Sequence, residues 1–263
     1  MNAQRRFAVV TGASRGIGAG YARALAARQY DLLLVSRDKS KLEQLAGELR
    51  TVVDVSCELL DLTESGAGHR LYAAARERRT SVDVLVQNAG FGYYGAFTEM
   101  PMPRIHGMLQ LHQSTILEST RLFLPDMIER RRGAIIIVAS IVGFLPVPYL
   151  AEYAASKAFQ LQFGRALAEE VRRHGVTIQV CCPGTTHTEF HATAGFRSQH
   201  PFGRDSVDRV VRASLGALGR RTVVTIGWRG RLLAVLSRIV PPSWIARGAA
   251  YYLPRSQRIV DSK

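Results

Sequence analysis

Apolar runs of strand length recur along the chain, separated by stretches of helix length. Phe7–Thr11 leads through a glycine-rich turn into Ala19–Arg28. Asp31–Ser36 precedes Lys39–Arg50, Val52–Leu60 precedes Ser65–Arg79, and Val82–Gln87 precedes a longer loop rich in glycine and tyrosine. Two helical stretches, Pro103–Gln113 and Thr115–Arg131, follow as one long or broken segment. Then come Ala134–Ser140, a loop, Tyr153–His174, Thr177–Cys182 and a last strand at Val223–Ile226. The strand candidates are continuous apolar runs, as a parallel sheet covered on both faces requires. Strand–helix–strand repetition with right-handed crossovers predicts an α/β, doubly wound parallel sheet of about six or seven strands. No linker or internal repeat interrupts the pattern, so residues 1–263 read as one domain with a distinct tail at about 220–263.

Residues 134–151 carry no charge and approach the length of a membrane span. Within them Ile135–Val138 is β-branched, and Gly143, Pro146 and Pro148 interrupt any helix, so a buried strand and a loop are expected. Composition agrees with a folded soluble chain: 47% hydrophobic, 21% charged. Three cysteines, two of them adjacent (Cys181 and Cys182), make a poor disulfide framework and fit a reducing, cytoplasmic setting. The short apolar run after the basic N-terminus is no signal-peptide core.

The turn Thr11-Gly12-Ala13-Ser14-Arg15-Gly16-Ile17-Gly18 follows the first strand and opens the first helix. Small residues let the backbone approach a pyrophosphate, and the helix N-terminus presents free N–H groups. Gln87-Asn88-Ala89-Gly90 follows the fourth strand, Ser140, Tyr153 and Lys157 stand at fixed spacing, and Pro183-Gly184 follows a later strand. In these four motifs, over about residues 5–190, the chain resembles the short-chain dehydrogenase/reductase family, with its Rossmann-like fold and NADP-preferring carbonyl reductases. Glutamine stands where that family usually has the first asparagine of NNAG.

Charge speaks to the dinucleotide. A carboxylate at the end of the second strand would bind the ribose hydroxyls of NAD(H) and repel an extra phosphate. Here that strand ends Ser36-Arg37, without a carboxylate until Asp38. Arg37 and Arg15 suit a 2′-phosphate by charge and fork geometry, so NADP(H) is favoured over NAD(H). The resemblance implies that Asp61 and Leu62 lie along the adenine and that Asn88, Ala89 and Gly90 lie near the adenosine ribose.

Tyr153 and Lys157 fall one helical turn apart. A phenol of ordinary pKa, about 10, exchanges protons sluggishly near neutrality, and an ammonium one turn away is expected to lower that pKa. The resemblance implies that Lys157 also holds the nicotinamide ribose and that Ser140 orients the substrate carbonyl. The family's fourth member, an asparagine in the helix before the catalytic strand, is replaced by His112. Three readings are open for it: a retained main-chain carbonyl with a titrating imidazole, a disturbed relay, or a packed histidine. Pro183, Gly184, Thr186 and Thr188 are implied to cover the nicotinamide. His187 and His191 are four apart, but Glu189 is one position too late for a zinc helix, so no metal is expected.

Loops at 91–97, 142–150 and 189–204 contribute Phe91, Tyr93, Tyr94, Phe144, Leu145, Tyr149, Phe190, Phe196 and Phe202, a lining for a hydrophobic ketone or acyl substrate. The chain carries 35 Lys+Arg against 21 Asp+Glu, net +14, and nine basic residues against one acidic lie in 220–263. There Leu232, Leu233, Val235, Leu236, Ile239 and Val240 recur at helical spacing among Arg229, Arg231 and Arg238, until Pro241-Pro242. Such a segment packs on its own chain or a sister subunit, lies on an anionic membrane, or meets an acidic carrier or acyl-CoA phosphate; charge beside apolar residues argues against nucleic acid. The resemblance implies a homodimer or homotetramer. The expected activity is NADP-dependent hydride exchange with a ketone or secondary alcohol; a low-activity cofactor-binding sensor or scaffold, peripheral to a membrane, is the alternative.

Overall fold

A computed structural model of the chain describes residues 5–186 and 205–261. Its seven strands are β1 (Phe7–Thr11), β2 (Asp31–Ser36), β3 (Val55–Leu59), β4 (Val84–Gln87), β5 (Gly133–Val138), β6 (Val176–Cys182) and β7 (Val223–Thr225). They form one sheet in the order β3-β2-β1-β4-β5-β6-β7, and every neighbouring pair is parallel. The described helices are α1 (Gly16–Ala26), α2 (Lys39–Leu49), α3 (Ala67–Arg78), α4 (Met102–Leu109), α5 (Thr115–Glu129), α6 (Ala151–Val171), α7 (Val207–Ala217), α8 (Gly227–Ile239) and α9 (Pro242–Asp261).

Alternation along each strand divides the core in two. Ala8, Val10, Leu32, Leu34, Ile136 and Val138 face one side, where Leu25 of α1, Leu42 of α2 and Val211 of α7 cover them. Phe7, Val9, Leu33, Val35, Ile135 and Ile137 face the other, under Leu71 of α3, Phe123 of α5 and Leu167 of α6. Helices cover both faces of the central strands, which explains the unbroken apolar runs.

Two features differ from the sequence expectation, and a third settles an alternative it left open. Val52 and Val53 both donate their amides to the Leu49 carbonyl, so they close α2 and β3 starts only at Val55. Pro242 does not simply end a helix but opens α9, because a proline lacks the N–H that a first turn leaves unpaired anyway. The long segment before β5 is continuous: α4 and α5 are joined by a π turn over Gln110–Ser114. Residues 134–151 form β5, a short 3₁₀ turn at Ile141–Phe144 and the start of α6. Among the described residues no helix is long and apolar enough to cross a membrane.

Candidate active site

Strand order reverses at β1, which has β2 on one side and β4 on the other. Connections leave these strands toward opposite sides, so a crevice opens at their carboxyl ends. Hydrogen bonds tie the two ends together. Thr11 Oγ1 donates to the Val86 carbonyl (3.1 Å) and accepts from the amides of Asn88 (2.9 Å) and Ala89 (3.1 Å), while Asn88 Nδ2 donates to the carbonyls of Thr11 (3.0 Å) and Gly12 (3.2 Å). Gly12 and Gly16 adopt φ of +64° and +56°, the left-handed region that favours glycine. A side chain at Gly18 would run into the Gly12 carbonyl, so this glycine lets α1 sit close behind the turn without itself lining the crevice.

The crevice has a volume of about 580 Å3. Gly12, Ser14, Arg15, Gly16 and Ile17 line it at the mouth of α1, and Ser36, Arg37, Asp61 and Leu62 at the side of β2 and β3. Asn88, Ala89 and Gly90 follow β4, and Ser140, Tyr153, Lys157, Pro183, Gly184 and Thr186 complete the wall. Thr188 and the aromatics Phe190, Phe196 and Phe202 lie outside the described residues, as do His187 and His191. Size, glycine turn and helix N-terminus together fit a dinucleotide.

At one end Arg37 donates to Asp61 (3.2 Å). Burial raises the Asp61 pKa, but hydrogen bonds from Thr63 and Arg37 outweigh it and hold the carboxyl below its ordinary value. Asp38 turns away: its Oδ1 accepts from the Lys41 amide (3.1 Å) and caps α2. Ser36 Oγ donates to Ser14 Oγ (2.9 Å), joining the β2 end to the glycine turn.

At the other end Ser140 caps the 3₁₀ turn, its Oγ accepting from the Val142 amide (3.3 Å). The Tyr153 phenol does not become more acidic, contrary to the sequence expectation. Burial pushes its pKa far above the ordinary value, a hydrogen bond with Ser140 only partly counteracts this, and Glu152 adds to it. Lys157 is buried as well; its Nζ lies 5.6 Å from the Tyr153 ring centre, and desolvation brings its pKa down to about 8 against the pull of Cys182 and Glu152. Burial is the dominant influence on both groups.

His112 sits inside the π turn with its side chain fully buried and does not line the crevice. Neither ring nitrogen has a hydrogen-bond partner among the described residues. Burial first, and Lys157 second, drive its pKa well below the ordinary value, so the imidazole is neutral near pH 7 and does not titrate there as one sequence reading supposed. Its ring packs edge-on against that of Tyr153 (centroids 6.0 Å), and its main-chain carbonyl accepts from Gln160 Nε2 (3.0 Å).

A second cavity of about 230 Å3 adjoins the first, and Tyr153 lines both. Tyr93, Phe97, Met100, Met108 and Tyr149 form its apolar lining, and Glu152 belongs to it as well. Of the loop aromatics named from sequence, Phe91 lines the crevice, whereas Phe144 packs into the core under Arg165 and Tyr94 leans on Tyr149. Sequence reasoning missed Thr63 and Arg104 in the crevice wall. The Asp-x-Thr pattern was a usable signal for Thr63, whose amide and hydroxyl both donate to Asp61 Oδ1. Arg104, which donates to the Gly92 carbonyl (2.7 Å), comes from α4 and carried no signal.

The short chain dehydrogenase family model matches residues 6–197, and the chain belongs to that family: it is an NAD(P)-dependent oxidoreductase acting on CH–OH and C=O groups. Among its relatives, a duck (Anas platyrhynchos) very-long-chain 3-oxoacyl-CoA reductase is 34% identical over 219 residues, covering 81% of this chain and 69% of the duck protein. A human protein named inactive hydroxysteroid dehydrogenase-like protein 1 is 28% identical over 257 residues, 96% of this chain and 77% of its own. A solved short-chain dehydrogenase from Sphingobium yanoikuyae, in complex with NADPH, superimposes with a TM-score of 0.81 at 31% identity, over 89% of this chain and 93% of its own.

Because the His112 imidazole makes no hydrogen bond and only packs against the Tyr153 and Phe91 rings, which a leucine can also do, His112→Leu is expected to keep kcat within about threefold. It also removes two unpartnered buried nitrogens, so stability should hold or rise by about 1 kcal/mol. Steady-state kinetics with a thermal melt checks both; a kcat loss beyond tenfold (about 1.4 kcal/mol) assigns the imidazole a role.

Proposed function

We propose that the protein is an NADPH-dependent reductase of hydrophobic ketones, with 3-oxoacyl compounds as the favoured class. The observation that carries this is Tyr153, which lies on the wall common to the glycine-lined crevice and the apolar cavity. A group in the first and a carbonyl in the second would meet at its phenol. When bound, the reduced nicotinamide supplies the hydride. Tyr153 supplies the proton to the carbonyl oxygen; burial keeps the phenol protonated until an oxyanion develops beside it, which suits the direction of reduction. Ser140 orients that oxygen, and the buried ammonium of Lys157 favours the phenolate left behind.

The substrate class rests on the cavity lining of Tyr93, Phe97, Met100, Met108 and Tyr149 and on the likeness to the duck 3-oxoacyl-CoA reductase. Preference for NADPH rests on Arg37 and Arg15 beside the crevice, on the diversion of Asp38 into a helix cap, and on the NADPH complex of the Sphingobium relative. No feature of the described site favours the sensor or scaffold alternative.

The C-terminal helices support contact with an anionic bilayer. Trp228, Leu232, Val235, Leu236 and Ile239 share one face of α8 and are exposed, and exposed Trp244, Arg247 and Tyr251 share one face of α9. Exposed Arg231 lies on α8 beside the stripe, and an exposed apolar face with a basic neighbour suits an acidic headgroup layer in the manner of an interfacial helix.

Tyr153→Phe should abolish turnover of NADPH with a bulky ketone while leaving the NADPH Kd within about twofold; unaltered turnover rejects the proton-donor role. Arg37→Ser is expected to lower kcat/KM for NADPH by about tenfold or more, as loss of a charge-assisted contact implies, and to leave NADH use nearly unchanged. Equal losses with both dinucleotides count against the phosphate contact. Flotation should recover the protein with phosphatidylserine-containing vesicles but not with pure phosphatidylcholine. Binding should fall by about tenfold or more in the triple variant Leu232→Ser, Val235→Ser, Ile239→Ser. No flotation, or a triple variant that only dissociates an oligomer, removes the membrane assignment.

A further inference from the structure

Gln160 lies on α6 three residues beyond Lys157, fully buried, and it does not line the crevice. Its two amide atoms bridge groups from different elements. Oε1 accepts from Lys157 Nζ at 3.0 Å, and Nε2 donates to the His112 carbonyl at 3.0 Å. Lys157 Nζ also donates to the Val138 carbonyl at the end of β5, at 2.9 Å. An ammonium has three N–H groups. With two of them fixed on Val138 and Gln160, the direction of the third is set, and Lys157 lines the crevice beside Tyr153.

We propose that Gln160 is a positioning residue, a side-chain strut from the π turn that aims the Lys157 ammonium into the crevice and supports its charged form. The inference rests on the reductase reading for its catalytic consequence, not for its geometry. The strut has two ends with distinct chemistry: an acceptor that must face a cation and a donor that must face a carbonyl. Glutamine fits both, and no other side chain of its length does. The π turn supplies the other end, because at Gln110–Ser114 the regular helical pairing gives way and the His112 carbonyl meets α6.

Other charged and titratable groups surround Lys157. Tyr153 and Glu152 lie on its own helix, Cys182 is on β6, and His112 in the π turn is neutral near pH 7. Of these, Cys182 and Glu152 raise the lysine pKa, and burial outweighs them. Removing the Gln160 acceptor takes away support for the charged form, so the Lys157 pKa falls. Placing a carboxylate there adds support, so it rises.

Two variants separate a strut from a spacer. Gln160→Leu keeps bulk and loses both hydrogen bonds; kcat is expected to fall on the order of tenfold to a hundredfold as the ammonium loses its aim. Where activity requires the charged lysine, the alkaline limb of the kcat/KM profile moves to lower pH. Gln160→Glu keeps the acceptor, loses the donor to His112, and moves that limb to higher pH. The Lys157 titration itself, followed by 13Cε NMR in the parent and in both variants, is expected to move in the same two directions whether or not a substrate is turned over. Opposite shifts in the two variants establish the strut. Unmoved lysine titration with a folded thermal melt overturns it, and if only the Glu variant folds, an unmoved or lowered pKa in that variant overturns it as well. A parent protein that turns over no ketone would sink the reductase reading alone, since the NMR titration still decides the strut.

Discussion

The site depends on keeping a positive charge out of water. Lys157 is buried between β5, α6 and the π turn, and such an ammonium persists only where fixed acceptors replace its hydration. The Val138 carbonyl is available because β5 ends there, one residue before the backbone turns toward Ser140. The Gln160 acceptor is available because His112 holds the far end of that amide. Sheet edge, helix and helix irregularity are therefore mutually required. A side chain that served only as a cation would have been cheaper at the surface, where its desolvation cost vanishes.

The same low-dielectric environment governs the phenol. Sequence spacing put an amine one turn from Tyr153 and pointed to an acidified tyrosine; burial reverses the sign. A resting site with a firmly protonated phenol and a lysine whose pKa lies near 8 holds two neighbouring groups whose affinities for a proton are pushed in opposite directions by one cause. Charge brought into the crevice by a bound dinucleotide acts on both.

Much of the fold was legible because two-sided burial leaves a plain mark: β1 and β2 coincide with their apolar runs, residue for residue. The β3 boundary was not, since Val52 and Val53 look like strand residues and are claimed by the α2 terminus through hydrogen bonds that no periodicity reveals. The glycine turn, the Asn88 stretch and the Ser140, Tyr153 and Lys157 set were readable because each needs a particular residue type at a particular spacing. Gln160 was not, because a glutamine inside a helical pattern reads as an ordinary polar position, and only the π turn, itself a product of packing, gives it two partners. Arg104 was hidden for the same reason: its relation to the crevice exists only once α4 folds over the β4 loop.

Cys181 and Cys182 illustrate how far strand geometry reaches into chemistry. Successive residues of β6 project to opposite faces of the sheet, so the two sulfurs belong to separate packed layers on either side of it. Both thiols are buried, and burial raises their affinity for protons, to about 11 for Cys181. Neighbours in the chain are thus strangers in space, unable to join to each other and poorly reactive toward oxidants. The half-buried Cys57 on β3 is left as the more accessible handle for a thiol-directed reporter, at a strand that does not bear on the Tyr153 end of the molecule.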